Sequence, residues 1–172
     1  PHFNEKITVG TWAYELGGLS ASRCFVILDE KGAAVVRADS TWYMVDAKAG
    51  KAIRVPESEA AYISDTPRLD MPPMPRHIPA AGTPTEAPSI TVSQQHLDTN
   101  KHVNNAQYVM MAIDALSALG YPFALHRIIV QYRRQAHLDD VIFPQVYQDE
   151  VGITVSLDSP EHKAYAIVRL EK

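Results

Sequence analysis

The chain predicts an α+β fold in which a curved antiparallel sheet wraps a central helix. Two observations predict it. The run Asn105 to Leu119 is apolar almost all round, with only Gln107, Asp114 and Ser117 strongly polar, so it reads as a helix buried on most sides. Short runs rich in β-branched and aromatic residues, separated by Gly- and Asp-containing turns, stand on both sides of that helix and read as antiparallel strands.

Three strand-like runs come first. Lys6 to Trp12 alternates in polarity, Arg23 to Leu28 leads into the turn Asp29-Glu-Lys-Gly32, and Ala33 to Val45 stops at Asp46-Ala-Lys-Ala-Gly50. They form a meander. Residues 64–88 then hold seven of the twelve prolines. Proline fixes φ and removes backbone donors, so this stretch is neither helix nor central strand. It reads as an extended linker, dividing the chain into units 1–63 and 89–172. The second unit opens with a short alternating strand, Ser89 to Gln94. The helix follows, ended by Gly120-Tyr-Pro122, and four strand candidates come after it: His126–Gln135, Val141–Gln148, Gly152–Leu157 and Lys163–Leu170. About five strands in the order β-α-β-β-β-β match a sheet wrapped on one helix. The first unit has three strands and no helix, and such a sheet needs a partner for its apolar face. A helix and an opening strand are therefore expected ahead of Pro1. Without them Trp12, Trp42 or their neighbours should expose apolar surface or recruit another chain.

The chain has 172 residues, 46% of them hydrophobic, which suits one ordinary domain or two small ones. A net charge of -4 and a pI near 6.0 give no sign of a nucleic-acid partner. No apolar run reaches the roughly 18 residues that a membrane-spanning helix needs, so no membrane partner is expected. A single cysteine, Cys24, cannot form an internal disulfide. It fits a reducing, cytoplasmic setting, and its place in a strand-like run makes it a buried inert thiol.

The chemistry concentrates in residues 96–108. Asp98, Asn100 and His102 put an acid, an amide and an imidazole at alternate positions just before the helix. In an extended segment, alternate side chains point one way, and a helix start adds backbone N–H groups and a positive dipole end. Such a set can hold a carbonyl oxygen, stabilise the oxyanion it becomes, and position a water or carboxylate to attack. Asn104 or Asn105 can supply the helix cap, and Tyr108 reads as packing near the first turn. His96, Asp98 and His102 are a poor metal set, since the two imidazoles lie six apart across a loop-to-helix junction and no thiol helps.

The segment His96-Leu-Asp-Thr-Asn-Lys-His-Val-Asn-Asn-Ala-Gln-Tyr108 resembles the signature of plant and bacterial acyl-acyl-carrier-protein thioesterases. Ile7 to Trp12, Ser40-Thr-Trp42 with Asp46, and Gln131-Tyr-Arg-Arg134 followed by Asp139-Asp140-Val141 are similar to other parts of that family. The resemblance implies two tandem hot-dog domains: a partial N-terminal one over 1–63, which lacks its opening strand and helix, and a complete C-terminal one over 89–172. It implies hydrolysis of fatty acyl thioesters on acyl-carrier protein, the expected partner, with no cofactor. By position, Asp98 would act on the attacking water or attack directly. Asn100 would bind and orient the substrate, and His102 would polarise the thioester or relay a proton. Plant members carry Glu-Cys after Tyr-Arg-Arg, where this chain has Gln135 and Ala136. A cysteine nucleophile is thereby excluded at that position, and Gln135 is left to position water or substrate, with Asn104, Asn105 and Tyr108 in support. Lys101, Arg127, Arg133 and Arg134 are candidates to dock the acidic carrier or to form a solvated sheet face, although alternation turns Arg133 and Arg134 to opposite faces. Three alternatives stay open: an acyl-CoA thioesterase, a non-catalytic acyl-binding or regulatory protein, and assembly as a homodimer.

Overall fold

A computed structural model describes residues 1–46, 48–121 and 126–172. Backbone contacts divide the chain into two units, Pro1–Pro73 and Met74–Lys172.

The first unit is built on an antiparallel meander of β1 (Thr8–Leu16), β2 (Ser20–Leu28) and β3 (Ala34–Tyr43), with Trp12 opposite Cys24 and Ser20 opposite Tyr43. Asp29 shapes the second turn, its Oδ1 accepting the N–H groups of Lys31 and Ala33. Asp46 does the same after the short strand β4 (Val45–Asp46), accepting from Lys48 and Ala49 before β5 (Lys51–Ala52) returns. Ala47, inside that expected turn, lies outside the described residues. Cys24 is fully buried. Several apolar side chains of the meander face outward, Trp42 at 54% and Val9 at 64% exposure among them.

The stretch 64–88, expected as an extended linker, holds no helix and no strand before Thr85, but its two ends are packed. In the first unit, the Trp12 Nε1–H donates to the Pro67 carbonyl at 3.0 Å, and Arg68 pairs with Asp39 at 2.8 Å. In the second, Gln131 holds the Arg76 carbonyl and accepts from the Ile78 N–H. Thr85–Glu86 (β6) then joins the sheet as an edge strand, a place where neighbouring prolines do no harm.

The second unit carries a six-stranded antiparallel sheet rather than five strands. The expected opening strand, Ser89–Gln94, is cut down to β7 (Ile90–Thr91), and β6, from the expected linker, stands beside it across Pro88; both pair with β9 (Val141–Gln148). From β9 the order runs β10 (Gly152–Asp158), β11 (Ala164–Glu171) and β8 (Arg127–Tyr132). β7 and β8 thus lie on opposite edges. The connection between them must cross the sheet, and α1 (Asn105–Ala118) makes the crossing.

The helix is buried on one face only, which corrects the expectation of burial on most sides. Tyr108, Met111, Ala112, Ala115 and Leu116 are buried, whereas Met110 is 49% exposed. The spacing i, i+3, i+4, i+7, i+8 is the stripe that one sheet can cover. It meets Ile142 and Val146 of β9, Val155 and Leu157 of β10, and Ala166, Val168 and Leu170 of β11. Large side chains such as Leu116 and Leu157 contribute about 1.5–3 kcal/mol each on full burial. Gly120, at φ 75°, follows the Leu119 C-cap and takes the left-handed position that ends the helix. The expected contribution of Pro122 lies outside the described residues.

Two features secure the hairpin β10–β11. A Cβ on Gly152 would collide with the Leu170 carbonyl oxygen. Gly152→Ala is therefore expected to lower stability by about 1–3 kcal/mol through forced backbone movement, read as a lower urea midpoint at unchanged m-value. Arg169, buried at the sheet end, grips Asp149 with both terminal nitrogens at 2.9 Å and Glu171 through Nε at 2.9 Å. Arg169, together with the Gly152 and Val151 N–H groups, holds the Asp149 carboxyl well below the usual carboxylate range. A carboxyl depressed on folding adds stability above its unfolded pKa and loses it as pH falls toward the folded one. Thermal melts from pH 7 downward should show this loss below about pH 5, and Asp149→Ala should weaken the protein at neutral pH and flatten that acid limb.

Candidate active site

The loop before α1 starts from backbone chemistry. Val92, at the end of β7, exchanges backbone hydrogen bonds with the turn 137–140: its N–H donates to the Asp140 carbonyl and its carbonyl accepts from Asp139. Gln94–His96 form one 3-10 turn, capped by Ser93 and His96 in a reciprocal box. Leu97 then bridges to Val103, and the Val103 N–H donates to the Ala136 carbonyl at 2.9 Å. The Asn104 side chain caps α1 by accepting from the Ala106 N–H at 2.9 Å.

Residues 98–102 are a tight turn and not an extended segment, which overturns the alternation argument for how the trio is presented. The Asp98 carboxylate is the reason. Its Oδ1 accepts the Asn100 N–H at 2.8 Å and the His102 N–H at 3.3 Å, a local bond that competes with extended backbone. The Asp98 N–H donates to the His102 carbonyl at 2.8 Å, closing the turn, and Lys101 takes a left-handed φ of 62°. The three residues are still brought together, now on one turn at the amino end of the helix. Partial burial pushes the Asp98 carboxyl up. The His102 and Asn100 N–H groups, the Asn100 side chain and the His102 charge outweigh it and hold the group below its ordinary value.

The supporting residues divide. Asn104 is the cap, and the Asn105 carbonyl accepts the Tyr132 hydroxyl at 3.1 Å. Tyr108 is buried, its ring tilted against Tyr132 at 6.0 Å and its hydroxyl oxygen accepting the Ala136 N–H at 2.9 Å. Burial raises its pKa. Gln135 is exposed, while the neighbouring Ala136 is buried and bonded to Tyr108 and Val103. Arg133 and Arg134 do part company: Arg133 donates to the Gln131 side chain, and Arg134 lies over the Tyr165 ring at 4.8 Å. His96 is spent on the capping box, its Nδ1 accepting the Ser93 N–H at 3.0 Å. Among the described residues no cluster of His, Cys, Asp or Glu has a metal-binding arrangement.

Sequence reasoning passed over His137. Its ring meets the His102 ring edge to face at 5.0 Å. With Gln94, Leu97, Lys101 and Leu138 it lines a recess of about 400 Å3. Asp98, Asn100 and His102 sit beside that recess without forming its wall. The only sequence signal for His137 is an imidazole three residues before Asp140, next to the positions where the family pattern already departs. A recess of about 350 Å3 in the first unit, among Ala13, Arg23, Trp42, Tyr43 and Tyr62, holds no imidazole.

An antiparallel sheet with one long helix across its face, preceded by a signature turn, is the hot-dog arrangement. Comparison with known proteins gives the family. Residues 1–63 match the acyl-ACP thioesterase N-terminal domain and residues 82–168 match the C-terminal domain. The chain belongs to the acyl-ACP thioesterase family. It is 25% identical to the chloroplastic oleoyl-acyl carrier protein thioesterase of Coriandrum sativum, over 96% of this chain and 49% of that one. To the palmitoyl-acyl carrier protein thioesterase of Cuphea hookeriana it is 24% identical, over 88% of this chain and 39% of that one. It thus spans about half the length of these relatives, or less. An acyl-ACP thioesterase from Bacteroides thetaiotaomicron superposes with a TM-score of 0.82 at 21% identity, over 97% of this chain and 68% of that one. The 12:0-ACP thioesterase of Umbellularia californica gives 0.76 at 18%, over 99% and 69%. These structures establish the fold.

The Tyr108 hydroxyl makes a structural prediction here. In Tyr108→Phe the Ala136 N–H loses its buried acceptor, which should cost about 1–3 kcal/mol, measured by denaturant unfolding. Because Ala136 also carries the bond to Val103, amide exchange at Val103 should accelerate in the same variant.

Proposed function

We infer that the protein hydrolyses the thioester between a fatty acyl chain and the phosphopantetheine arm of acyl-carrier protein, releasing free fatty acid. The observation that carries this reading is the gathering of Asp98, Asn100 and His102 on one turn at the entrance to α1, in a chain of this family. Asp98, kept ionised, orients the attacking water and supports positive charge on His102. Asn100 and His102 offer donors to the thioester oxygen, where negative charge develops as water adds. The amino end of the helix lies beside that oxyanion with its dipole aligned to favour it. The C–S bond then breaks and the pantetheine thiol leaves. A reaction of this kind belongs to fatty acid synthesis, and the buried thiol of Cys24 supports a reducing, cytoplasmic setting.

Asp98→Asn is the informative variant, because an amide oxygen can still accept the Asn100 and His102 N–H groups. The turn is kept while the charge is removed. With full-length protein and acyl-ACP as substrate, kcat should fall at least about 100-fold with little change in thermal midpoint. Full activity of Asp98→Asn would remove Asp98 from the chemistry. Assaying one acyl group on carrier protein and on coenzyme A separates the two carriers: faster release from acyl-CoA would replace the carrier-protein substrate, and binding without turnover of either would replace hydrolysis.

A further inference from the structure

The turn 136–140 brings a second imidazole to the site, and the motif does not use it. We propose that His137, backed by Asp140, is the proton acceptor of the site. The proposal rests on the hydrolase reading above and supplies a base that the trio lacks. Asp98 is a weak base, since its carboxylate is engaged by two backbone N–H groups. His137 is 59% exposed in its side chain, lines the recess beside the turn, and touches the His102 ring.

A carboxylate stands beside the His137 ring. The Asp140 carboxylate accepts the His137 backbone N–H at 2.9 Å and lies 3.9 Å from the ring Nδ1. The Tyr165 hydroxyl donates to the same carboxylate oxygen at 3.2 Å. At 3.9 Å the ring and the carboxylate interact through space rather than by a hydrogen bond, and the negative charge on the Nδ1 side favours a proton there, leaving Nε2 as the acceptor. The charged and titratable groups around the ring are His102 on the loop, Lys101 across the recess, Asp140 on its own turn, and Tyr165 with Arg134 behind. Leu97 and Leu138 give the recess apolar walls.

The step balances without another reactant. As the water oxygen forms its bond to the thioester carbon, His137 Nε2 takes one water proton and the carbonyl becomes an oxyanion. When the oxyanion collapses, the C–S bond breaks and the sulfur leaves with the electron pair. The His137 imidazolium returns its proton to that thiolate. The products are a fatty acid and a thiol, and the imidazole is neutral again.

The test uses full-length protein and acyl-ACP. His137→Gln keeps hydrogen-bonding capacity and loses proton acceptance, so kcat should drop at least about 100-fold with KM within about threefold and an unchanged melt. His137→Ala should be as slow, and added imidazole should restore part of its rate but none to His137→Gln. A His137→Gln enzyme with more than about a third of wild-type kcat, or a His137→Ala enzyme that imidazole does not rescue, would overturn the proposal. If His137→Ala does not fold, the Gln variant alone decides. A wild-type protein that hydrolyses no acyl thioester would instead remove the hydrolase reading, and this proposal with it.

Discussion

The second unit depends on one topological constraint: the strands on either side of the helix lie on opposite edges of the sheet. β7 pairs with β9, β8 pairs with β11, and β10 sits between. The chain has to travel across the face to connect them. A helix is the form in which a crossing backbone can satisfy its own polar groups over an apolar surface. The stripe from Tyr108 to Leu116 is what that surface can bury. Once the helix lies there, the residues just ahead of it must emerge at the rim of the sheet, and this is where Asp98, Asn100 and His102 sit.

That rim is held by backbone pairing. Val92 is joined to residues 139 and 140, and Val103 is joined to Ala136. These two stitches clamp the motif loop to the turn after β8 from both ends. The Tyr108 hydroxyl secures the same junction from inside the core by taking the Ala136 N–H. The loop is therefore positioned by bonds that involve none of the trio's side chains except Asp98. Asp98 is the exception that shapes the chemistry, because the carboxylate that folds the turn is the one held below its ordinary pKa. A group fixed in this way serves as a charge and an orienter better than as a base.

The first unit follows a different logic. Its meander has no α-helix of its own among the described residues, only a 3-10 turn over Glu57–Tyr62, and its order comes from short polar devices. Asp29 and Asp46 build the turns. Asp39 receives both the Tyr14 hydroxyl and the Arg68 guanidinium, tying the start of the Pro-rich stretch to β3. Carbonyls of that stretch are free for such bonds because its prolines keep it out of a ladder, and Trp12 takes the one at Pro67.

Much of this was legible in residue order. The strand-turn-strand runs, the helix and its Asn cap, the exclusion of helix and central strand from the Pro-rich segment and the family signature at 96–108 all follow from local patterns, which act over a few residues and so are visible in a few residues. What sequence alone misread were effects of distance. Apolar residues all round Asn105–Leu119 suggested burial on most sides, but only packing against one sheet decided that Tyr108 and Leu116 go in while Met110 stays half exposed. Alternation at 98, 100 and 102 suggested an extended strand, but the Asp98 carboxylate found two N–H groups and folded a turn. The meeting of His137 with His102, 35 positions apart in the chain, has no local trace. It exists because Val92 and Val103 pair with the turn at 136–140, and strand pairing between distant segments is set by the register of the whole sheet.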